Sequence, residues 1–99
     1  MKRTERIERM EERLNALRAL TDQCADAAEA LCAAREDLRR LRDYYGSETW
    51  FSDRAADEAG RLPEDLRRGV LTEDAVYDLL GDCRELGLLL LRAAEALLR

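Results

Sequence analysis

Histidine is absent from the 99-residue sequence, and this absence removes several kinds of functional site. Without it, no Ser-His-Asp or Cys-His nucleophile set can form. The three cysteines are an odd number and have no CxxC spacing, so the Cys and His ligands of an ordinary zinc site are also missing. No glycine-rich phosphate loop occurs. We therefore expect a protein that is not an enzyme, with no catalytic residue, no cofactor and no metal site.

Proline, glycine and aromatic residues are scarce, at one, five and five residues, whereas 46% of the chain is apolar and 39% is charged. Abundant Ala, Leu, Arg and Glu in such a composition favour amphipathic helices. The length is that of one domain. The sequence predicts a single all-α domain over residues 1–99.

A long hydrophobic run is also missing. The most apolar stretch, Leu86 to Leu91, is bounded by Glu85 and Arg92, well short of the roughly 20 residues that a membrane span needs. The first residues, MKRTERIERMEERL, have no apolar core of the signal-peptide kind. We expect no membrane partner and a cytoplasmic location, where cysteines stay reduced.

The cysteines themselves are expected to be small buried hydrophobic residues. Cys24 and Cys32 would lie about 12 Å apart along one helix, too far to form a disulfide with each other. A reactive thiol is the less favoured interpretation.

The net charge of −5 and the acidic isoelectric point of about 4.8 argue against a nucleic-acid partner. The charge is unevenly distributed. Residues 45–82 carry ten acidic and four basic side chains, whereas residues 1–44 are balanced at ten of each. The middle of the chain is the acidic part.

A first long helix is predicted at about residues 5–45, with Thr4 as its N-cap. Apolar residues recur there at intervals of three and four, as on one face of a helix: Ile7, Met10, Leu14, Leu17, Leu20, Cys24, Ala27, Leu31, Ala34, Leu38, Leu41 and Tyr45. A break at Thr21-Asp22 is the alternative.

Short connector helices are predicted at about 48–59 and 63–68. Gly46 suits the left-handed residue that ends a helix, and Ser47 suits an N-cap. Trp50 and Phe51 form the large apolar plug of the first short helix, which Gly60 closes. Pro63 suits the first position of the second, which Gly69 ends.

A last helix is predicted at about 73–98, capped by Thr72. Its apolar stripe is Val76, Leu79, Cys83, Leu86, Leu90, Ala93 and Leu97. Gly81 and Gly87 within it indicate close approach of a neighbouring backbone. The predicted fold is all-α: a long antiparallel helical hairpin with one or two short connecting helices, completed into a bundle by self-association.

Self-association is predicted because the two long helices differ in length. The last helix is about 39 Å long and leaves about 20 Å of the first uncovered. A second stripe on the last helix faces away from the first stripe. The proposed association residues are Ile7, Met10, Leu14, Leu17, Leu88, Leu91 and Leu98. We expect a homodimer or a higher homo-oligomer; an unidentified protein partner would satisfy the same surfaces.

Two constellations allow a functional or a structural interpretation. Asp74, Asp78 and Asp82 follow one another at i,i+4; we favour salt bridges to the row Arg35, Arg39 and Arg42 over a cation site. Tyr44, Tyr45, Trp50, Phe51 and Tyr77 are expected to come together, as a plug rather than a base-stacking site.

The candidate partner or ligand surface is Tyr45, Trp50, Asp57, Glu58, Asp74 and Asp78.

The middle of the chain contains a series of short motifs: YYGS at 44–47, Trp50-Phe51, ADEAG at 56–60, LPEDL at 62–66, GVLTEDAVYDLL at 69–80 and REL at 84–86. In these motifs the central 45 or so residues resemble a short bacterial domain-of-unknown-function family. Over the first helix the likeness is compositional. Gly81, Cys83 and Gly87 depart from the family's larger or polar residues. The resemblance implies a small cytosolic protein without an established activity, and it supplies no catalytic residues.

The function predicted from the sequence is a non-enzymatic, self-associating helical interaction module. The alternative is a carboxylate-based, metal-dependent phosphohydrolase or small-ligand-binding protein that uses Asp57, Glu58, Asp74 and Asp78. Helical phosphohydrolases of that kind carry ExxE and ExxD pairs, whereas the acidic spacings here are mostly four.

Overall fold

The computed structural model describes residues 2–99, and these residues are helical with short connecting turns. The elements are α1 (Arg3–Ala33), α2 (Arg35–Tyr44), α3 (Glu48–Glu58), a 3₁₀ turn (Gly69–Leu71) and α4 (Glu73–Leu97). The described residues include no strand, so the all-α prediction is confirmed. The chain divides between Glu36 and Asp37 into two compact units, and each is described by itself.

The first unit consists mainly of α1. Its N-cap is Lys2, which makes no side-chain capping bond, so the expectation that Thr4 caps the helix is wrong. The helix runs unbroken through Thr21. It ends instead at Ala34, whose N–H is shared between the carbonyls of Ala30 and Leu31. The one helix expected over 5–45 is therefore two, and nothing in the local residue types explains the break.

Within this unit α1 has no second element to cover it. None of its described side chains is buried, and both Cys24 and Cys32 are exposed. The expectation that these cysteines are buried is not met within the first unit, because this unit holds no second helix against which to bury them. Cys83, on α4 in the second unit, is half-buried.

The turn from α2 into α3 follows its local sequence signals. Gly46 adopts a positive φ of 77°, which residues with a Cβ avoid. The Ser47 hydroxyl then accepts the N–H of Trp50 at 3.2 Å and caps α3. The predicted roles of Gly46 and Ser47 are both confirmed.

The end of α3 is a Schellman motif around Gly60. Gly60 has a φ of 71°, its N–H donates to the Asp57 carbonyl, and the N–H of Arg61 donates to the Ala56 carbonyl. The helix expected next, at 63–68, is not present: these residues form turns. The next helical element is the 3₁₀ turn from Gly69, so Gly69 begins an element rather than ending one.

Thr72 caps α4 as predicted. Its hydroxyl accepts the Ala75 N–H at 3.4 Å and donates to the Gly69 carbonyl at 2.7 Å. A Cβ added at Gly81 or Gly87 would meet no atom within 4 Å, so the close backbone approach expected there is not seen. Among residues 2–99, no helix combines the length and apolar content needed to cross a membrane.

The core of residues 37–99 is small. Its buried apolar side chains are Trp50 from α3, Leu71 from the 3₁₀ turn and Val76 from α4. Phe51, expected to share the plug with Trp50, is 58% exposed. Successive helical residues point about 100° apart, so Trp50 and Phe51 cannot face the same neighbour.

This arrangement predicts unequal effects for two adjacent aromatic residues. Trp50→Ala removes a buried ring and should lower the free energy of unfolding by about 3–5 kcal/mol. Phe51→Ala removes an exposed ring with an edge contact and should cost about 1 kcal/mol. Urea unfolding followed by circular dichroism measures both; equal losses would show that Trp50 is not the centre of the core.

Candidate functional site

Trp50 is the centre of a cluster of aromatic side chains in the second unit. Its indole Nε1–H donates to the Val70 carbonyl at 2.9 Å, which joins α3 to the 3₁₀ turn. Its ring lies edge-on to Tyr45 at 5.2 Å and to Phe51 at 4.9 Å between ring centroids. Edge-to-face geometry of this kind is favourable for aromatic pairs.

Arg54 adds a charge to the cluster. Its guanidinium carbon lies 5.3 Å from the centroid of the Trp50 ring, within the range of a cation–π interaction. The same guanidinium contacts two carboxylates, Glu73 at 3.0 Å and Glu58 at 3.6 Å. Arg54 thus connects α3 to the first turn of α4.

Tyr45 makes a second link to α4. Its hydroxyl donates to the Glu73 carbonyl at 2.8 Å, which brings the end of α2 beside the start of α4. An open cleft of about 400 Å³ lies between these groups. We call it the aromatic cleft; its lining residues are Tyr45, Gly46, Trp50, Phe51, Arg54, Glu73, Asp74 and Tyr77.

The structure brings together only part of the candidate surface. Tyr45, Trp50 and Asp74 line the aromatic cleft. Asp57, however, pairs with Arg68 at 2.5 Å, and Glu58 pairs with Arg54. Asp78 is exposed and does not line the cleft.

Tyr44, expected among the clustered aromatics, lies elsewhere. Its hydroxyl donates to the Asp53 carboxylate at 2.5 Å. This hydrogen bond, with desolvation and the nearby negative charge, raises the pKa of Tyr44 to about 12. Tyr44 and Asp53 line a second cleft, of about 320 Å³, with Leu62, Leu66, Arg67, Arg68, Val70 and Leu71.

Arg68 holds the irregular segment that precedes the 3₁₀ turn, and sequence reasoning missed it. Its guanidinium donates to the Pro63 carbonyl at 2.8 Å, the Glu64 carbonyl at 3.1 Å and the Leu66 carbonyl at 3.3 Å. The remaining contact is the ion pair with Asp57 on α3. The carbonyls of Pro63 and Glu64, which a helix at 63–68 would have satisfied internally, are instead bound by the Arg68 side chain.

The predicted salt bridges from the aspartate row to Arg39 and Arg42 are not formed within residues 37–99. Within residues 37–99, Asp74, Asp78 and Asp82 take part in no ion pair, while Arg39 contacts Asp43 at 3.3 Å on its own helix. The acidic partner of Arg54 is Glu73, one residue before the row. The spacing of charged residues along one helix does not indicate which residues of another helix lie opposite them.

The carboxylates are also not grouped as metal ligands. Among residues 2–99, no three His, Cys, Asp or Glu side chains are placed so that they could hold one ion. Two of the four carboxylates of the phosphohydrolase alternative, Asp57 and Glu58, are engaged by arginines.

A family model described as a domain of unknown function, DUF4298, matches residues 7–93. The chain belongs to the DUF4298 family. The match includes nearly all of α1, where the sequence resemblance was compositional, as well as residues 45–82, which we call the connector, and α4 as far as residue 93. No curated protein and no solved structure matches the chain.

The DUF4298 match therefore contains the connector, the apolar stripe of α1 and the apolar stripes of α4 as far as Ala93. The family description names no activity, so no residue role is carried over from it. The predicted membership of a domain-of-unknown-function family is confirmed by this match.

Arg68 provides a direct test of the connector. Arg68→Ala removes three hydrogen bonds to carbonyls and the ion pair with Asp57. Because the side chain is about one-third exposed, we expect a loss of unfolding free energy of about 2 kcal/mol, measured by urea unfolding. Arg67→Ala, a change at the adjacent exposed arginine, is the matched control and should cost less than about 0.5 kcal/mol. Similar losses for both variants would contradict the role given to Arg68.

The raised pKa of Tyr44 predicts a loss of stability at alkaline pH. The native state holds the phenol proton more tightly than the unfolded state, so this contribution is complete below pH 10 and disappears between about pH 10 and 12. Tyr44→Phe should cost about 1 kcal/mol at pH 7 and should remove this part of the alkaline decline.

The measurement is urea unfolding across that pH range, with an absorbance titration of the phenols. Tyr77→Phe, at an exposed tyrosine, is the control and should keep the decline seen in the unmodified chain. Identical pH profiles for the unmodified chain and Tyr44→Phe would contradict the hydrogen bond to Asp53.

Proposed function

We propose that this DUF4298 protein is a non-enzymatic, self-associating helical interaction module. The observation that supports the proposal is the contrast between its small core and its large apolar helix faces. Three apolar side chains are buried, whereas seventeen large apolar side chains among residues 2–99 are substantially exposed. Monomeric soluble proteins rarely leave contiguous apolar faces open to water.

The C-terminal half of α4 shows the contrast clearly. After Cys83, the most enclosed side chain is Ala94, which is half-buried, and the other described residues are exposed. Leu88, Leu91 and Leu98 are exposed to 53%, 69% and 85%. Within residues 37–99 no element covers them, so a partner surface is needed to remove them from water.

The acidic connector is the second part of the proposal. Residues 45–82 have a net charge of −6, and the aromatic cleft exposes Phe51 and Tyr77 beside Glu73 and Asp74. Exposed aromatic rings beside carboxylates favour a protein partner with basic and apolar side chains. The three free cysteines suit a reducing compartment such as the cytoplasm.

The phosphohydrolase alternative has no supporting observation. It needs Asp57, Glu58, Asp74 and Asp78 to hold a common metal ion, and among residues 2–99 no three acidic side chains are placed to do so. Magnesium at millimolar concentration should therefore leave the melting temperature unchanged, because a ligand that bound only the native state would raise it.

The mass in solution tests the proposed self-association. By light scattering, the unmodified chain should have at least twice its 11.4 kDa mass. Leu88→Glu with Leu91→Glu places two charges on the exposed stripe and should shift the mass toward 11.4 kDa, with the helical circular dichroism spectrum retained.

The control is Arg61→Gln with Arg67→Gln, which changes the net charge by the same −2 at exposed connector positions and should keep the mass of the unmodified chain. A monomeric unmodified chain would contradict self-association. An oligomer unaffected by the double glutamate variant would move the interface away from Leu88 and Leu91.

A further inference from the structure

Eight uncharged side chains of α1, seven of them apolar and one a threonine, follow a heptad spacing. The intervals alternate between three and four over eight positions, which we call the α1 seam: Ile7, Met10, Leu14, Leu17, Thr21, Cys24, Ala28 and Leu31. None of the eight is charged, and the nine charged residues in this span all lie at other positions. A repeat of 3.5 residues is typical of a left-handed coiled coil.

We propose that the α1 seam packs antiparallel against the α1 seam of a second copy of this chain. The inference rests on the proposed self-association and adds the surface, the orientation and the register. Each seam residue faces the residue of the other copy whose number, added to its own, gives 38. The two-fold axis therefore passes beside Ala19.

The sizes of the seam residues support the antiparallel orientation. Large side chains occupy the first half of the seam and small ones occupy most of the second. The antiparallel register places Met10 opposite Ala28, Leu14 opposite Cys24 and Leu17 opposite Thr21 of the other copy. A large side chain facing a small one fills the space between helices to the density of a protein interior.

A parallel, in-register pair would distribute the same volumes poorly. It would stack Thr21, Cys24 and Ala28 on their own copies, which leaves one half of the seam underfilled. Underfilled layers lose van der Waals contacts and stability.

The charges of α1 support the same orientation. Residues 5–18, which face residues 20–33 of the other copy in this register, contain four basic and four acidic side chains, a net charge of 0. Residues 21–33 contain Asp22, Asp26 and Glu29 and no basic residue, a net charge of −3. Antiparallel pairing places the acidic segment of each helix beside the neutral, arginine-containing half of the other, and parallel pairing places the two acidic segments side by side.

The register also accommodates the residues that flank the axis. Arg18 of one copy lies on the same flank as Asp22 of the other, about 3 Å apart along the helix axis. Leu20, which is 55% exposed, meets Leu20 of the other copy on the opposite flank. This register therefore places opposite charges together on one flank and apolar side chains together on the other.

The experiment measures distances between spin labels in the full chain, with Cys24, Cys32 and Cys83 replaced by alanine. One label is placed by Ala19→Cys and another, in a separate sample, by Glu5→Cys; both positions are exposed and lie opposite the seam. In the proposed dimer the two labels at position 19 are about 20 Å apart, on the outer faces of paired helices. The two labels at position 5 are separated by 28 helical residues, about 42 Å along the axis.

The possible outcomes separate the inference from the proposed function. A short distance at position 19 and a long one at position 5 supports the antiparallel seam. Short distances at both positions would show a parallel pair and overturn the inference. No short distance at position 19 in a sample that is dimeric by light scattering would place the interface elsewhere, which overturns the inference but leaves self-association intact.

A monomer by light scattering would remove both the inference and the proposed self-association. A seam variant, Leu14→Glu, adds a direct check on the unlabelled chain. It should at least halve the mass of the oligomer, whereas Ala16→Glu, on the exposed side of the same helix, should leave the mass unchanged.

Discussion

Trp50 lies where α3 meets the 3₁₀ turn, and the contacts of its indole ring order the second unit. The hydrogen bond from Nε1 to the Val70 carbonyl holds the turn that contains Leu71, and that turn leads through Thr72 into α4. Tyr45 and Arg54 pack around the same ring and bind the backbone and side chain of Glu73. Because the buried apolar core is small, these hydrogen bonds and the ion pair contribute more to positioning the start of α4 than apolar burial does.

The connector is held mainly by side chains bound to backbone carbonyls. Arg68 binds three carbonyls of the segment before the 3₁₀ turn and the Asp57 carboxylate, so a stretch without helix has one defined path. Two carboxylates of the connector form ion pairs with arginines of the same segment: Asp57 with Arg68, and Glu73 with Arg54. Those that remain exposed beside the aromatic cleft, such as Asp74, give this surface its negative charge.

The apolar residues of the chain are mostly not used by its own core. In α4 they lie on the exposed half beyond Cys83, and in α1 they form a regular seam on a helix that is alone in its unit. The proposed self-association and the antiparallel pairing of α1 give these residues a common physical purpose, since an apolar face is stabilised only when it leaves water. The acidic connector is then the part of the surface available to a different protein.

What the sequence determined by itself was local: helix as the only regular structure, the left-handed glycines Gly46 and Gly60, and the caps Ser47 and Thr72. Each depends on contacts within a few residues, which a sequence pattern displays directly. The tertiary structure alone decided that Arg68 replaces a helix at 63–68, that Glu73 rather than Asp74 pairs with Arg54, and that Tyr44 turns to Asp53 away from the other aromatics. The contacts Tyr44–Asp53, Arg68–Asp57 and Arg54–Glu73 join residues 9 to 19 positions apart, and helical periodicity carries no information about which side chain of a distant segment lies opposite.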